Sequence, residues 1–323
     1  MAIRHESTYP GPPWYQFNGH LQTIIPAFGG PKVSYQRERL ELADGDFVDL
    51  DWLQQKESCS SLIILTHGLE GNSSRPYIQS AAHFFHERGW DVLAWNCRSC
   101  SGEMNRNLRL YHHGEIEDLH AVCSHALSKN QYQEVVLIGY SMGGAMNSKY
   151  LSVYADSLPD SILGGISFSA PFDLAASVDA LELPGNGIYK KRFLQQLGDK
   201  LRYKDQHFPG IIDISKLEQV QTWRDFDEWF TAPLLQLDSA EDFYEIASAK
   251  NFIHTLNRPV LAVSALNDPI ITEDCLPLEE APKHPYLQLE LTEKGGHVGF
   301  SLGGRPKQNW MNIRAWEEIE RWR

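Results

Sequence analysis

The chain is organised around one short motif, Gly-Tyr-Ser-Met-Gly at residues 139–143. The apolar run before it, residues 134–138, predicts a buried strand, and residues 144–151 after it predict a helix. This arrangement is typical of the nucleophile elbow, a sharp strand-to-helix turn that strains the serine backbone and exposes its hydroxyl above a sheet. Glycine is expected on both sides of the serine because side chains there would collide with neighbouring strands. The motif therefore predicts that Ser141 is a nucleophile.

The sequence on either side of this motif alternates between strand and helix patterns. Alternation of this kind predicts an α/β fold with a mostly parallel sheet, helices on both faces and right-handed crossovers. An Asp-Gly pair inside residues 37–52 predicts a β-hairpin there. Helices are expected from Pro76, over residues 115–128 and at the C-terminus. The predicted strands are residues 62–65, 90–95, 134–138, 162–170, 259–265 and 286–291.

Two segments depart from this alternation and suggest how the chain is divided. Residues 1–31 are rich in proline, glycine and aromatic residues, which predicts an irregular arm that packs on the core through its Trp, Phe and Ile side chains. Residues 172–245 are polar, aromatic and helix-like, and they contain no apolar strand. We therefore predict a lid at 172–245, inserted into an α/β core made of residues 32–171 and 246–323.

Composition narrows the range of partners and locations. A chain of 323 residues, 42% of them hydrophobic, has enough apolar material for one large core or two smaller ones. The net charge of −13 disfavours nucleic acid and anionic membranes as partners. We see neither a signal peptide nor an apolar stretch long enough for stable membrane insertion. Five scattered cysteines favour reduced thiols and a cytoplasmic location. No feature indicates an oligomeric state.

Three strand ends carry side chains that complement one another chemically. Ligands of parallel sheets bind beyond the carboxyl ends of the strands, and Ser141, Asp268 and His297 each follow a predicted strand. A serine hydroxyl is a weak nucleophile at neutral pH, so His297 is predicted to accept its proton and Asp268 to orient the imidazole. Asp173, which follows the strand at 162–170, is a second candidate for the acid. We favour Asp268, because Asp173 has a structural alternative at the start of a helix.

The same chemistry requires donors for a developing oxyanion. The backbone N–H of Met142, directly after the nucleophile, is the first predicted donor. The second is expected from the loop after the strand at 62–65, where the N–H of Leu69 is our candidate. His67 in that loop is interpreted as a residue that fixes the loop rather than as a second base.

Four aromatic residues of the predicted lid are candidates for substrate binding. They line an apolar acyl pocket in one interpretation and form the core of the lid in the other, and both interpretations stay open. They are Trp223, Phe226, Trp229 and Phe230.

Further short motifs accompany the elbow across most of the chain. They lie at residues 19–24, 67–71, 102–106, 111–118, 139–144, 267–269 and 295–297. Through them the chain resembles the α/β-hydrolase superfamily and, within it, the YheT-like family of bacterial hydrolases and their eukaryotic abhydrolase-domain relatives. The resemblance implies a Ser-Asp-His esterase that acts on small-molecule acyl esters without a cofactor. One departure is Ser99, because relatives usually carry glycine there.

Two other motifs suggest different chemistry. Cys97 and Cys100 form a Cys-x-x-Cys pair after a strand, but the residues that follow lack the apolar periodicity of a redox helix. His83 and His86, and the pair at 112–113, lack the spacing of a zinc protease, so we predict no metal site. Solvated histidines are the preferred interpretation of the first pair.

Two further functions use the same fold. Acyl transfer to an acceptor other than water needs the same residues, and a catalytically silent binding protein would usually have lost one of the three. Dehalogenase and epoxide chemistry would require Asp in place of Ser141. Ester hydrolysis is the function that the residues favour.

Overall fold

In the described part of the chain, nine strands form one sheet. The computed structural model describes residues 3–4, 7–129, 131–303 and 309–323. Across the sheet the strands follow the order β1-β9-β8-β7-β6-β4-β5-β3-β2. The pairs β2–β3 and β3–β5 are antiparallel and the other neighbours are parallel. The strands are β1 Ile3–Arg4, β2 Gln36–Glu41, β3 Phe47–Leu53, β4 Ser61–Thr66, β5 Asp91–Asn96, β6 Glu134–Tyr140, β7 Ile162–Phe168, β8 Val260–Ala265 and β9 Leu287–Thr292.

Helices cover both faces of this sheet, which confirms the predicted α/β-hydrolase fold class. One face packs against the second and last helices and the other against the third and fourth, each over its own apolar cluster. The helices are α1 Gly19–Ile24, α2 Pro76–His86, α3 Glu117–Ser128, α4 Met142–Val153, α5 Leu174–Leu181, α6 Gly187–His207, α7 Trp223–Phe226, α8 Ala232–Leu234, α9 Ala240–Ala247 and α10 Trp310–Trp322.

Local sequence accounts for most of these boundaries. Strands β4 and β6 are buried along almost their whole length, as expected for central strands of a covered parallel sheet. Helix α2 begins at Pro76, whose fixed φ suits the first helical position. The hairpin of β2 and β3 turns at Gly45, where φ is +80°. Strand β1 was not predicted, because two residues carry no periodicity; it pairs with β9 at the sheet edge.

The arm packs on the core, but only through some of the side chains that we predicted. Its residues 1–2 and 5–6 lie outside the described part. The prediction rested on aromatic side chains, yet Trp14 and Phe17 are 89% and 77% exposed. The buried side chains are polar instead, namely Gln16 and Gln22. The arm is therefore held both by hydrogen bonds of these buried glutamines and by packing of Ile3, Tyr9 and Ile24 against the core clusters.

Helices α5 to α9 fill the connection between β7 and β8. A five-residue π-helical segment, Asp227–Thr231, joins α7 to α8. The apolar side chains of α5 to α9 and of the π-helical segment join the larger core cluster, in which Phe230 is only 2% exposed. This connection leaves the carboxyl edge of the sheet where β7 ends and returns to the amino edge where β8 starts, since the two strands are parallel neighbours.

No helix within the described ranges has the length and apolarity needed to cross a bilayer. All five cysteines are buried and free. The cytoplasmic location stays a prediction.

Candidate active site

The elbow has the backbone strain that its motif predicts. Ser141 joins β6 to α4 with φ of 53° and ψ of −125°, a backbone conformation that residues other than glycine rarely adopt. A Cβ on Gly143 would lie 2.4 Å from the carbonyl oxygen of Thr66 in the neighbouring strand, as predicted. A Cβ on Gly139 would lie 2.3 Å from the carbonyl oxygen of Gly143. That second clash arises across the turn itself, so our expectation of a neighbouring strand was wrong for Gly139.

Ser141, His297 and Asp268 form a chain of hydrogen bonds. The Ser141 Oγ lies 2.9 Å from the His297 Nε2. The His297 Nδ1 lies 2.9 Å from the Asp268 Oδ2. The Asp268 carboxylate has no exposed surface, and the His297 side chain is 12% exposed. The arrangement can move a proton from the hydroxyl to an imidazole that a buried carboxylate orients.

The two candidate acids occupy different environments. The second oxygen of Asp268, Oδ1, accepts hydrogen bonds from the N–H groups of residues 270–271 at 2.8 and 3.0 Å. Asp173 instead caps α5 by accepting the N–H of Ala176 at 3.1 Å, and it pairs with Lys250. The structure therefore brings Asp268 to His297 and gives Asp173 the structural position considered for it.

The loop after β4 leaves one backbone donor without an acceptor. The N–H of Gly68 donates to the Tyr77 hydroxyl at 3.0 Å, and the N–H of Glu70 donates to the Tyr111 hydroxyl at 2.8 Å. Between them, the N–H of Leu69 has no acceptor among the described residues. Two tyrosine hydroxyls thus fix the loop on each side of the predicted oxyanion donor.

This loop passes directly beside Ser141. A Cβ on Gly68 would lie 3.1 Å from the Cβ of Ser141. The His67 ring holds the loop, since its Nε2 accepts the N–H of Cys97 at 3.1 Å and its Nδ1 lies 2.7 Å from the Gly68 carbonyl oxygen. Burial lowers the pKa of His67 to about 4, so the ring is neutral. The second predicted donor, the N–H of Met142, belongs to the first turn of α4 and has no intrahelical partner.

Helix α1 of the arm holds the two loops that carry Asp268 and His297. The Gln22 Oε1 accepts hydrogen bonds from the Asn267 side chain at 2.9 Å and from the N–H of Gly295 at 2.8 Å. The N–H of His297 donates to the Thr23 Oγ1 at 2.8 Å. Reasoning from the sequence did not identify these positioning residues. The available signal was the motif at residues 19–24, which contributed to the family resemblance.

We expect Gln22→Met to lower kcat/KM by about ten- to a hundredfold, because the substitution keeps the shape and removes the shared acceptor, so that both loops can shift. Gln22 is 1% exposed, so the donors left behind are also buried. Ester hydrolysis and the melting temperature are the measurements, with exposed Gln36→Met as the control. An unchanged kcat/KM in Gln22→Met would contradict this role.

Two cavities are lined by Ser141, and a third adjoins one of them. The arm cavity, about 180 Å³, reaches Ser141 and His297. The apolar cavity, about 30 Å³, reaches the same two side chains from beneath α5. The deep cavity, about 60 Å³, shares Leu69, His113 and Trp223 with the apolar cavity. The arm cavity is also lined by Thr23, Ile24, Arg75, Tyr77, Tyr189 and Arg192.

Three of the four aromatic candidates line these cavities. Trp223 lines both the apolar and the deep cavity, and Phe226 and Phe230 line the deep cavity. All three are buried in the core cluster as well, so the two interpretations of them are compatible. Trp229 lines none of the three cavities and packs against the cluster from outside.

The cysteine pair has the wrong environment for redox chemistry. Cys97 and Cys100 are both buried, and burial raises the pKa of Cys100 to about 11. A redox-active thiol needs a lowered pKa, so the structure disfavours that alternative. Among the described residues, no group of three or more His, Cys, Asp or Glu side chains is arranged to hold a metal ion.

Ser99 occupies a position that favours glycine. Its φ is 62°, in the left-handed region. The Ser99 hydroxyl accepts the N–H of Asn105 at 3.1 Å, and this hydrogen bond ties the two ends of the loop together. Serine at this position therefore adopts a backbone conformation that is less favourable for it than for glycine, but it gains a local hydrogen bond.

Comparison with known proteins identifies relatives with the α/β-hydrolase fold, several of them named as ester hydrolases. A family model described as alpha/beta hydrolase fold matches residues 61–304. YheT of Escherichia coli (strain K12), whose name proposes an esterase, is 33% identical over 305 residues, which is 92% of this chain and 88% of YheT. Phospholipase ABHD3 of Mus musculus is 30% identical over 324 residues, covering 97% and 78% of the two chains. The solved Pyrococcus furiosus esterase Pf2001 shares the fold, with a TM-score of 0.58, 15% identity and 99% of both chains covered.

Proposed function

The chain belongs to the α/β-hydrolase family, in its YheT-like branch, and from this premise we propose that it hydrolyses carboxylic esters through a serine-bound acyl intermediate. The observation that carries the proposal is the hydrogen-bond chain from Ser141 through His297 to Asp268, at 2.9 Å for each step. The names of the relatives support ester hydrolysis as the general class of reaction.

In the first half of the reaction, the Ser141 Oγ attacks the ester carbonyl carbon while the His297 Nε2 takes the hydroxyl proton. The buried Asp268 carboxylate stabilises the imidazolium that forms. The carbonyl oxygen becomes an oxyanion and accepts hydrogen bonds from the N–H groups of Leu69 and Met142. Collapse of this intermediate breaks the ester C–O bond, and His297 returns the proton to the departing alcohol.

In the second half, water attacks the acyl group on Ser141 and gives its proton to His297. The same two N–H groups hold the second oxyanion. Collapse releases the carboxylic acid and returns the proton to the Ser141 Oγ. Loss of one such donor typically costs about 3–4 kcal/mol of transition-state stabilisation, so the fixed loop around Leu69 is a large part of the proposed mechanism.

We assign the acyl chain to the apolar and deep cavities. Leu174, Val178 and Leu181 of α5 line the apolar cavity, and no described Lys, Arg, Asp or Glu does. The deep cavity is mostly apolar but is also lined by Arg109 and Asp227. Burial lowers the pKa of His113 to about 4, so this residue adds no charge at neutral pH. Trp223 lines both cavities, together with Leu69 and His113. Residues 172–245 would thus act as a lid that selects the acyl chain.

We expect Trp223→Ala to raise kcat/KM for long acyl chains relative to short ones, because it opens the path between the apolar and deep cavities. The measurement is kcat/KM for p-nitrophenyl esters from C2 to C16. Trp229→Ala is the matched control, since Trp229 lines none of the cavities. A uniform change across all chain lengths in Trp223→Ala would contradict the acyl assignment.

The same ester panel tests the function itself. Wild-type protein should release p-nitrophenol and the free acid, and product analysis separates hydrolysis from acyl transfer. A fluorophosphonate probe should label the folded protein once, with the adduct on Ser141 by mass spectrometry. Absence of turnover on every ester, together with no labelling, would overturn the proposal.

A further inference from the structure

Two arginine side chains line the cavity that contains the nucleophile. Arg75 lies directly before α2 and Arg192 lies on α6, and both line the arm cavity with Ser141 and His297. Neither arginine has a carboxylate within 4.0 Å among the described residues. Arg75 donates to the carbonyl oxygen of Glu70, and Arg192 makes no hydrogen bond with any described residue. Two arginines that form no direct ion pair with a described carboxylate therefore line one cavity.

Their mutual repulsion is only partly relieved by Glu70. Burial lowers the pKa of Arg192, and the positive charge of Arg75 lowers it further. The Glu70 carboxylate is close enough to oppose this effect, but it already pairs with the Lys200 Nζ at 2.6 Å and accepts the Tyr111 hydroxyl at 2.6 Å. An unpaired, partly desolvated pair of like charges is costly unless an anion occupies the space between them.

A third donor lies in the same cavity. The Tyr77 hydroxyl accepts the N–H of Gly68, and its own proton has no acceptor among the described residues. Burial raises the pKa of Tyr77, so the hydroxyl keeps this proton at neutral pH. Guanidinium and hydroxyl donors converging on one space are the usual recognition set for phosphate or carboxylate oxygens.

The two cavities at Ser141 also differ in chemistry. An ester carbonyl carries two substituents, an acyl group and an alcohol, and each needs its own space. The apolar cavity suits the acyl group, which leaves the arm cavity for the alcohol. In a chain with a net charge of −13, local cations are needed to admit an anionic substrate against the overall field.

We propose that Arg75, Arg192 and Tyr77 form a subsite that binds a phosphate or carboxylate group on the alcohol side of the substrate. The substrate class is then an acyl ester whose alcohol carries a phosphate or carboxylate group. This inference rests on the proposed ester hydrolysis and names the substrate class of the same site.

Matched substrate pairs test the subsite. One pair is 1-hexanoylglycerol 3-phosphate and 1-hexanoylglycerol, and the other is 4-butanoyloxybenzoate and its methyl ester. Within a pair the acyl group is constant and only the charge differs, and the two pairs distinguish phosphate from carboxylate. The measurement is the ratio of kcat/KM for the anionic ester to that for its neutral partner. For wild type we expect a ratio of about ten or more in at least one pair, because charge-assisted hydrogen bonds to the anionic group would stabilise its transition state by that factor.

Substitution of Arg192 on α6 tests the subsite directly, because its side chain forms no hydrogen bond or ion pair with a described residue that the substitution would break. We expect Arg192→Gln to lower that ratio by about ten- to a hundredfold, and Arg192→Lys to keep part of it, since lysine retains the charge without the planar fork. Arg202→Gln is the matched control on the same helix, because Arg202 pairs with Asp199 and lines none of the cavities. Inorganic phosphate should also inhibit wild type competitively against the neutral methyl ester, and Arg192→Gln less, at constant ionic strength.

The possible failures are distinguishable. If neutral esters are hydrolysed but the ratio is the same in Arg192→Gln and Arg202→Gln, or wild type prefers the neutral ester in both pairs, the subsite is wrong and the proposed function stands. If wild type hydrolyses neither member of either pair nor any p-nitrophenyl ester, the proposed function fails and the subsite with it.

Discussion

Replacing Ser141 with alanine is expected to lower kcat for ester hydrolysis by about 10⁶-fold, the size of loss seen when a triad nucleophile is removed. The substitution deletes the atom that forms the bond to the acyl group and keeps the Cβ. Alanine at this position has the same backbone restriction as serine at φ of 53°, so the elbow should fold as before. Activity on a p-nitrophenyl ester and the melting temperature are the two measurements.

Labelling provides an independent reading of the same variant. The fluorophosphonate adduct should disappear in Ser141→Ala and persist in Ser157→Ala, a change at an exposed serine. Undiminished labelling or turnover in Ser141→Ala would assign the nucleophile to another residue.

Replacing Asp268 with asparagine is expected to lower kcat by about 10⁴-fold. The asparagine oxygen can keep the hydrogen bonds from the N–H groups of residues 270–271, which turns its NH₂ toward the His297 Nδ1. The His297 Nδ1 must then accept a hydrogen bond from this NH₂ group, so the imidazole carries its proton on Nε2. A protonated Nε2 cannot act as the base that the Ser141 hydroxyl needs. The loss thus comes from the wrong tautomer, and the melting temperature should change little.

The other candidate acid supplies the comparison. Asp173→Asn should leave kcat within a few-fold of wild type and reduce the free energy of unfolding by about 1 kcal/mol or less, because asparagine is also a good N-cap. It would lose the ion pair with Lys250 but not the hydrogen bond to Ala176. A larger loss of kcat in Asp173→Asn than in Asp268→Asn would transfer the orienting role to Asp173.

Most of the fold could be predicted from the sequence because its signals are local. Apolar runs of four residues, at 62–65 and 135–138, specify the buried strands β4 and β6, and the glycines on either side of Ser141 specify the turn between β6 and α4. These features depend on residues that are neighbours in the chain. The short strand β1 has no such signal, since its two residues pair only with β9 at the far end of the chain.

The aromatic candidates illustrate a limit of composition. Trp14 and Trp229 have the same side chain and both lie in aromatic-rich segments, yet the first is 89% exposed and the second packs against the core cluster. Trp223, unlike Trp14 and Trp229, lines both the apolar and the deep cavity. Side-chain chemistry gives each tryptophan a tendency to be buried, but the position of its backbone in the fold decides whether burial is possible.

By itself, the sequence determined the nucleophile turn, the strand pattern and the three residue types needed for proton transfer, because each is encoded over a few adjacent positions. Tertiary structure decided which carboxylate reaches His297, and it placed Gln22 against Asn267 and Gly295, residues 245 and 273 positions away. It also brought Arg75 and Arg192 into one cavity with Ser141. The physical reason is that such contacts depend on the order of strands in the sheet, which joins loops that no local pattern connects.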